Sequence, residues 1–206
     1  MCYSAQIEAS YARYVRLFGA DIDIHEYVKL ANRIQRQGLS AWKMPKAVAA
    51  AFGAADSEVE RQVRDAIAVG LQEQRAAEQA DGDAQRERLA RAEAVLAGPK
   101  PTKKAADDKR IATRKIAASE RRLADLLRDE LVPADARMWP GSIVPVLAVI
   151  DGRRVVTPMR YRCRPYFVDE AFERARPGLY NARLDNLDGF WRPLFGHRHA
   201  LVLVNA

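Results

Sequence analysis

The residue best equipped for chemistry stands second in the chain. Removal of Met1 leaves Cys2 at the N-terminus, with a thiol and a free α-amine on adjacent carbons. Aminopeptidases remove an initiator methionine ahead of a small residue, and some chains cleave this bond themselves. With reference pKa values of about 7.7–8.0 for the amine and about 8.5 for the thiol, both groups are partly nucleophilic near neutral pH. Such a pair reacts naturally with aldehydes. The amine condenses to a Schiff base with loss of water, and the thiol adds to the imine carbon to close a thiazolidine ring. A cysteine inside a chain cannot do this, because its nitrogen is an amide. The ring-opened sugar of an abasic site in DNA is an aldehyde of this kind. Two other readings of the same residues stand beside this one. Cys2 could act on an amide as an N-terminal-nucleophile amidohydrolase, or the Met-Cys start could carry no chemistry.

Arginines crowd the C-terminal third: Arg153, Arg154, Arg160, Arg162, Arg164, Arg174, Arg176, Arg183, Arg192 and Arg198. Tyr161, Tyr166, Phe167, Tyr180 and Trp191 are interleaved with them. Guanidiniums that track phosphates, with rings that stack on bases, are the ingredients of a single-strand groove. Phe167 and Trp191 are expected in the core instead. Arg162 and Arg164 alternate with Cys163, so on a strand they share a face opposite that thiol, and Cys163 reads as an inert buried cysteine. His197 and His199 lack the further ligands that a metal pair requires, and neither a metal nor a cofactor is expected.

The whole chain agrees with an anionic partner. Its 206 residues carry a net charge of +7, with 34 Lys and Arg against 27 Asp and Glu, and nucleic acid is the commonest counterpart of such a balance. At 49% hydrophobic residues, a packed core is within reach and global disorder is excluded. Two cysteines do not make a disulfide scaffold. The start has neither the basic nor the apolar region of a signal peptide, and no apolar run approaches the ~20 residues of a membrane span. A cytoplasmic protein with free thiols, nucleoid-associated when bound to DNA and monomeric, is expected.

Three zones must position these groups. Residues 1 to about 55 mix aromatic and aliphatic side chains and read as globular. Ile22 to Ile34 suits a helix capped by Asp21 or Asp23. From about 57 to 130 the chain is rich in Ala, Glu, Arg and Gln. Val59, Val63, Ile67, Leu71 and Gln74 fall on one helical face, and Ala112, Ile116, Leu123 and Leu127 on another. Pro99 and Pro101 break the helix between them, which predicts an antiparallel helical hairpin. Its many alanines argue against tight packing along its length, and Asp81-Gly82-Asp83 predicts fraying between Ala76 and Gln85. Lys100, Lys103, Lys104, Lys109, Arg110, Arg114 and Lys115 read as a solvated face, with a contact to DNA or a protein partner as the lesser reading. From about 136 onward the pattern turns to strands. Ile143 to Ile150, then Asp151-Gly152, then Arg153 to Tyr161 is a hairpin signal. Ala200 to Val204 reads as a buried strand. Such a strand pairs on both sides, so a sequence stopping at Ala206 is expected to be a fragment, or to be completed by another chain.

The C-terminal motifs narrow the chemistry. Arg176 to Asp185 reads RPGLYNARLD, followed by Trp191-Arg192-Pro193-Leu194-Phe195, Arg198 and ALVLVNA. Together with MCYSAQI at the start, this resembles the SOS-response-associated peptidase (SRAP) family of abasic-site sensors, in which a Met-Cys start is coupled to an Asn-Ala-Arg motif. Val156 to Tyr161 resembles the family's strand before its DNA-facing loop, and Trp139-Pro140-Gly141 through Val146 its strand entry. The resemblance covers residues 1 to about 18 and about 136 to 206. It leaves the helical zone as an insertion at about 57–130 in a single domain over 1–206.

The resemblance implies an α+β fold, a distorted β-barrel-like core with an inserted α-helical hairpin. It implies covalent capture of abasic sites in single-stranded DNA by Cys2, with self-removal of Met1, in the DNA-damage (SOS) response; the family label is accordingly a cysteine peptidase, a hydrolase. By motif match, Asn181 would position the N-terminus and the opened sugar. Arg183 would hold a flanking phosphate with its planar fork of donors, and Arg160 and Arg162 would touch the DNA backbone. The plain readings are a turn residue for Asn181 and a surface side chain for Arg183. The chain departs from the family in three ways. Tyr3-Ser4 replaces the commoner Gly-Arg, and Asp185 stands where a Glu is common. The family's acidic and histidine proton-transfer groups would fall after Ala206, so activity could be impaired. A non-catalytic nucleic-acid or protein-binding module is therefore the alternative, with the amidohydrolase third.

Overall fold

The computed structural model describes residues 5–7, 11–37, 43–53, 57–176, 178–179 and 182–205. The chain divides into two compact units, one formed by residues up to Ile67 with those from Leu131 onward, the other by Ala68–Glu130.

The first unit is organised on two small sheets. Its longest strands are β4 (Ile143–Ile150) and β5 (Arg153–Arg160), an antiparallel hairpin in register from Ile150↔Arg153 to Ile143↔Arg160. Asp151 and Gly152 close it, both at positive φ (49° and 77°), as the favoured two-residue hairpin turn requires. The turn fixes the register, and the register explains two prolines. Counting back from the hydrogen-bonded closing pair, Pro145↔Pro158 falls on a non-hydrogen-bonded pair, where neither residue needs an N–H for its partner.

Four strands make this sheet, in the order β2-β5-β4-β6. The two-residue β2 (Asp21–Ile22) runs parallel to β5, and β6 (Ala200–Leu201) antiparallel to β4. A second sheet has β1 (Ala5–Ile7) between β3 (Arg137–Met138) and β7 (Val204–Asn205), all antiparallel. The α+β class is thus observed, but the described strands form two open sheets rather than a closed barrel. Among the described strands only two reach eight residues; the other described strands are too short to carry the stagger that closure demands.

The apolar C-terminal run departs from expectation. Ala200 to Val204 is not one buried strand but two short ones, β6 in one sheet and β7 in the other. Leu201 and Val204 are more than half exposed, because each strand lies at the edge of its sheet and pairs on one side only.

Helices cover the four-stranded sheet. The helix α1 (Tyr11–Phe18) and α2 (Ile24–Gln37) contact β5. Asp23 starts α2, its carboxylate accepting from the Glu26 amide at 3.2 Å; of the two caps the sequence offered, Asp21 instead lies with Ile22 in β2, and the helix runs from Ile24 to Gln37. Tyr27, Leu30, Ala31 and Ile34 are its buried face, spaced as an amphipathic helix requires. Tyr27 meets Phe52 edge-on at 5.3 Å, just after the short α3 (Lys46–Ala50). A separate cluster gathers Ile7, Val48, Met138, Val144 and Val146, with Met44, Tyr161 and Val202 at its margin, so residues from both sheets share one core.

The second unit is the helical hairpin. Its first helix belongs to α4 (Glu58–Ala97), whose opening residues are counted with the first unit; α5 (Lys103–Leu127) returns antiparallel. Thr102 caps α5 by accepting from the Ala105 amide at 3.2 Å. Two expectations are corrected. The stretch Ala76–Gln85 is continuous helix, and the small residues make the seam rather than weaken it. Gly82, Ala92, Ala105, Ala112 and Ser119 are buried; the last three recur every seventh residue, the coiled-coil period. A Cβ on Gly82 would meet Ser119 Oγ at 3.3 Å. The glycine is there for close approach, and Ser119 Oγ donates to the Glu78 carbonyl at 2.7 Å across it. Ion pairs flank the seam: Arg122–Glu78 at 2.7 Å, Arg86–Glu120 at 2.9 Å, Lys109–Glu93 at 2.9 Å and Arg88–Asp108 at 2.5 Å. No helix among the described residues is long and apolar enough to cross a membrane.

Candidate functional site

The arginine-rich run after β5 forms a basic cleft. Its geometry begins with the turn Trp139-Pro140-Gly141-Ser142, where Gly141 at φ 94° takes the glycine position of a type II turn after proline. The Ser142 amide donates to the Trp139 carbonyl at 2.8 Å, and the ladder continues one step past Arg160, with the Tyr161 amide on the Ser142 carbonyl at 2.7 Å. The chain then bends, and Arg160, Arg162 and Arg164 converge on one carboxylate.

That carboxylate is Glu173, whose side chain is only 6% exposed. Arg162 approaches it at 3.2 Å, Arg160 at 3.4 Å and Arg164 at 3.7 Å. Glu173 lies on α6 (Glu170–Arg174), a single short turn capped by Asp169, which accepts from the Phe172 amide at 2.9 Å. Aromatic packing supports so short a helix: Phe172 stacks on Phe190 at 6.1 Å, Phe190 meets the buried Trp191 edge-on at 4.8 Å, and the Arg176 guanidinium lies 3.8 Å from the Phe172 ring centre. The cleft in front encloses about 310 Å³. Lys29 and Arg33 of α2 line it together with the three arginines, and Leu30, Ile143, Pro158 and Met159 form its apolar part.

Against this geometry the expected site residues separate. Cys2 and Asn181 lie outside the described residues, as does Tyr180. Arg160 and Arg162 are brought together in the cleft. Arg183 is elsewhere in its bonding: largely exposed, it grips Asp185 with both arms of its fork, Nε on Oδ1 at 3.0 Å and Nη2 on Oδ2 at 2.8 Å. These hydrogen bonds hold the Asp185 carboxyl below its ordinary value and Arg183 above its own.

No family model, curated protein or solved structure matches the chain.

The described residues around the motif are nevertheless anchored. The Cys163 amide donates to the Leu179 carbonyl at 3.1 Å. Cys163 stands in the chain between Arg162 and Arg164, two arginines of the cleft. It is half-buried and unbridged, and burial pushes its thiol up, in keeping with an unreactive sulfur.

Two aromatic expectations divide. Trp191 is buried, but Phe167 is 51% exposed and forms an edge-on pair with the exposed Tyr166 at 5.4 Å. The Arg198 guanidinium sits 4.4 Å from the centre of the Tyr166 ring. Phe167 follows three residues after Arg164, in a segment of turns rather than a strand. The histidines contribute locally, His199 Nε2 accepting from the Gly196 amide at 2.8 Å. Among the described residues, no three His, Cys, Asp or Glu side chains gather as a metal site.

Sequence reasoning missed Glu173. The alternation Arg160-Arg162-Arg164 was its only signal: three cations on one side of a bend need a counter-charge, but nothing local says which of the nearby acids supplies it.

Proposed function

We propose that this chain captures abasic sites in single-stranded DNA through Cys2, as a member of the SRAP type. The observation that carries the reading is the pairing of a Met-Cys start with Tyr180-Asn181-Ala182-Arg183 in the C-terminal third. The arginine cleft and the exposed Tyr166–Phe167 pair support it, because a captured strand needs both charge for its backbone and rings for its bases. In the reaction, the Cys2 amine condenses with the C1′ aldehyde of the opened sugar and water leaves. The thiol then adds to the imine carbon, its proton passing to the nitrogen, and a thiazolidine joins protein to DNA. Asn181 would orient the opened sugar, and Arg160, Arg162 and Arg183 would hold phosphates beside it. A distorted barrel would be the finer form of the α+β fold, and the DNA-damage response its setting.

The intact mass of the full chain after incubation with a single-stranded oligonucleotide carrying one abasic site tests this. The expected result is loss of Met1 plus the mass of the DNA less one water, absent in Cys2→Ala. An equal adduct with Cys2→Ala would overturn the reading. A second reading, a non-catalytic nucleic-acid-binding module, is favoured by one observation: the cleft and the exposed rings need nothing from Cys2. It predicts binding of an intact oligonucleotide with no adduct to an abasic one.

A further inference from the structure

We propose that the cleft between α2 and the end of β5 is a phosphate-binding site, with Glu173 as the residue that assembles it. The proposal takes up the reading of Arg160 and Arg162 as backbone contacts but does not depend on any chemistry at Cys2.

Three observations lead to it. The first is charge. Lys29, Arg33, Arg160, Arg162 and Arg164 line the cleft against only Glu26, Glu170 and Glu173, so a cation surplus remains after every carboxylate is counted. The second is arrangement. Glu173 gathers the guanidiniums of Arg160, Arg162 and Arg164 within 3.2–3.7 Å of one carboxylate, which sets three planar forks side by side in the lining of the cleft. The third is shape and surroundings. About 310 Å³ of space takes a phosphate with part of its ester, and the apolar lining of Ile143, Pro158 and Met159 strengthens each charge interaction by excluding water.

Glu173 is the organising element. Three guanidiniums at alternate positions along a bend repel one another, and without a counter-charge they would splay into solvent. A buried carboxylate beneath them fixes their direction before any ligand arrives, which lowers the ordering cost of binding. Arginine suits the ligand better than lysine would, since its planar fork matches the edge of a phosphate and is weakly hydrated. A tetrahedral phosphate offers acceptor edges in more directions than a planar carboxylate, so it suits forks that approach from several sides. The source could be a nucleic-acid backbone or a free phosphate monoester, and the same chemistry serves both.

The test uses the full chain and two probes, inorganic phosphate and a fluorescent single-stranded oligonucleotide without an abasic site. Two double variants are compared with the parent: Arg162→Gln with Arg164→Gln on one wall, and Lys29→Gln with Arg33→Gln on the exposed face of α2, where folding is least at risk. Phosphate is expected to raise the melting temperature over chloride at matched ionic strength by about 2–4 °C, an effect lost in both variants. If the backbone is the source, both variants also weaken oligonucleotide binding, and the slope of log affinity against log salt falls by about one per contact removed. Arg64→Gln, outside the cleft lining and paired with Asp65, leaves both readouts unchanged. Loss of the phosphate effect with oligonucleotide binding intact assigns the site to a free phosphate. No phosphate stabilisation of the parent, together with unchanged oligonucleotide binding by the Lys29–Arg33 variant, overturns the proposal. Adduct formation by Cys2 is not read in any arm, so failure here leaves the capture reading standing, and the reverse holds.

Discussion

At the scale of single residues, the partner of each arginine decides what that arginine can do. Arg183 is exposed, and its fork is already filled by Asp185. A phosphate must therefore compete with an internal carboxylate. Asp185→Asn removes that competitor and a repelling charge together, so it is expected to tighten oligonucleotide binding several-fold, whereas Arg183→Ala weakens it with a shallower salt dependence. Fluorescence anisotropy across a salt series reads both; weaker binding by Asp185→Asn would show that the pair serves as a scaffold. The same pair makes a pH statement. Asp185 is depressed in the folded state, so its contribution to stability is present above the ordinary carboxylate range near pH 4 and is lost as pH falls through its lowered value. Cys163 runs the other way. Burial raises its thiol, so its contribution is present below the unfolded value near 8.5 and is lost as pH rises through the raised one. In Cys2→Ala, alkylation of the remaining thiol is expected to stay slow at neutral pH and to accelerate only above the ordinary thiol range; rapid labelling at pH 7 would contradict an inert Cys163.

At the scale of elements, small residues govern how closely helices approach. Along α4 and α5 the seam is built of Gly82, Ala92, Ala105, Ala112 and Ser119, and helix separation follows the side chains at the contact. A helix interior normally loses about 1 kcal/mol to glycine relative to alanine. Here the lost propensity is offset by what Gly82 permits, the 2.7 Å bond from Ser119 to the Glu78 carbonyl. Gly82→Leu is expected to destabilise the hairpin by about 1–3 kcal/mol through overpacking, despite leucine's better propensity, as read from the denaturant midpoint. A gain in stability would mean that the helices can part at no cost. The β4–β5 hairpin obeys a more local rule: its turn, register and two facing prolines all follow from Asp151-Gly152.

At the scale of the whole molecule, charge is unevenly shared. Residues 68–130 carry 14 basic and 12 acidic side chains, leaving 20 and 15 to the rest, so most of the net +7 belongs to the unit that holds the cleft. Many charges in the hairpin are spent on ion pairs between its own helices, and such exposed pairs stabilise little. In the first unit the arginines after β5 outnumber their carboxylate, so the field there is available to an anionic partner.

The sequence by itself determined what depends on neighbours along the chain. The Asp-Gly turn, the amphipathic spacing of α2 with its Asp23 cap and the break at Pro99–Pro101 are set by local backbone preference and periodicity. Tertiary structure decided what depends on partners. Glu173 reaches Arg160 from 13 residues away on another element, and Ser119 reaches Glu78 across 41 residues. The run Ala200 to Val204 looked like one strand because all its residues are apolar, yet it divides between two sheets, since edge pairing is chosen by which strands stand nearby. Periodicity reports which face is buried; it does not report against what. Charge pairing and close approach are settled only when distant segments meet, and for that reason the arginine cleft, rather than any single motif, was the feature the sequence left unread.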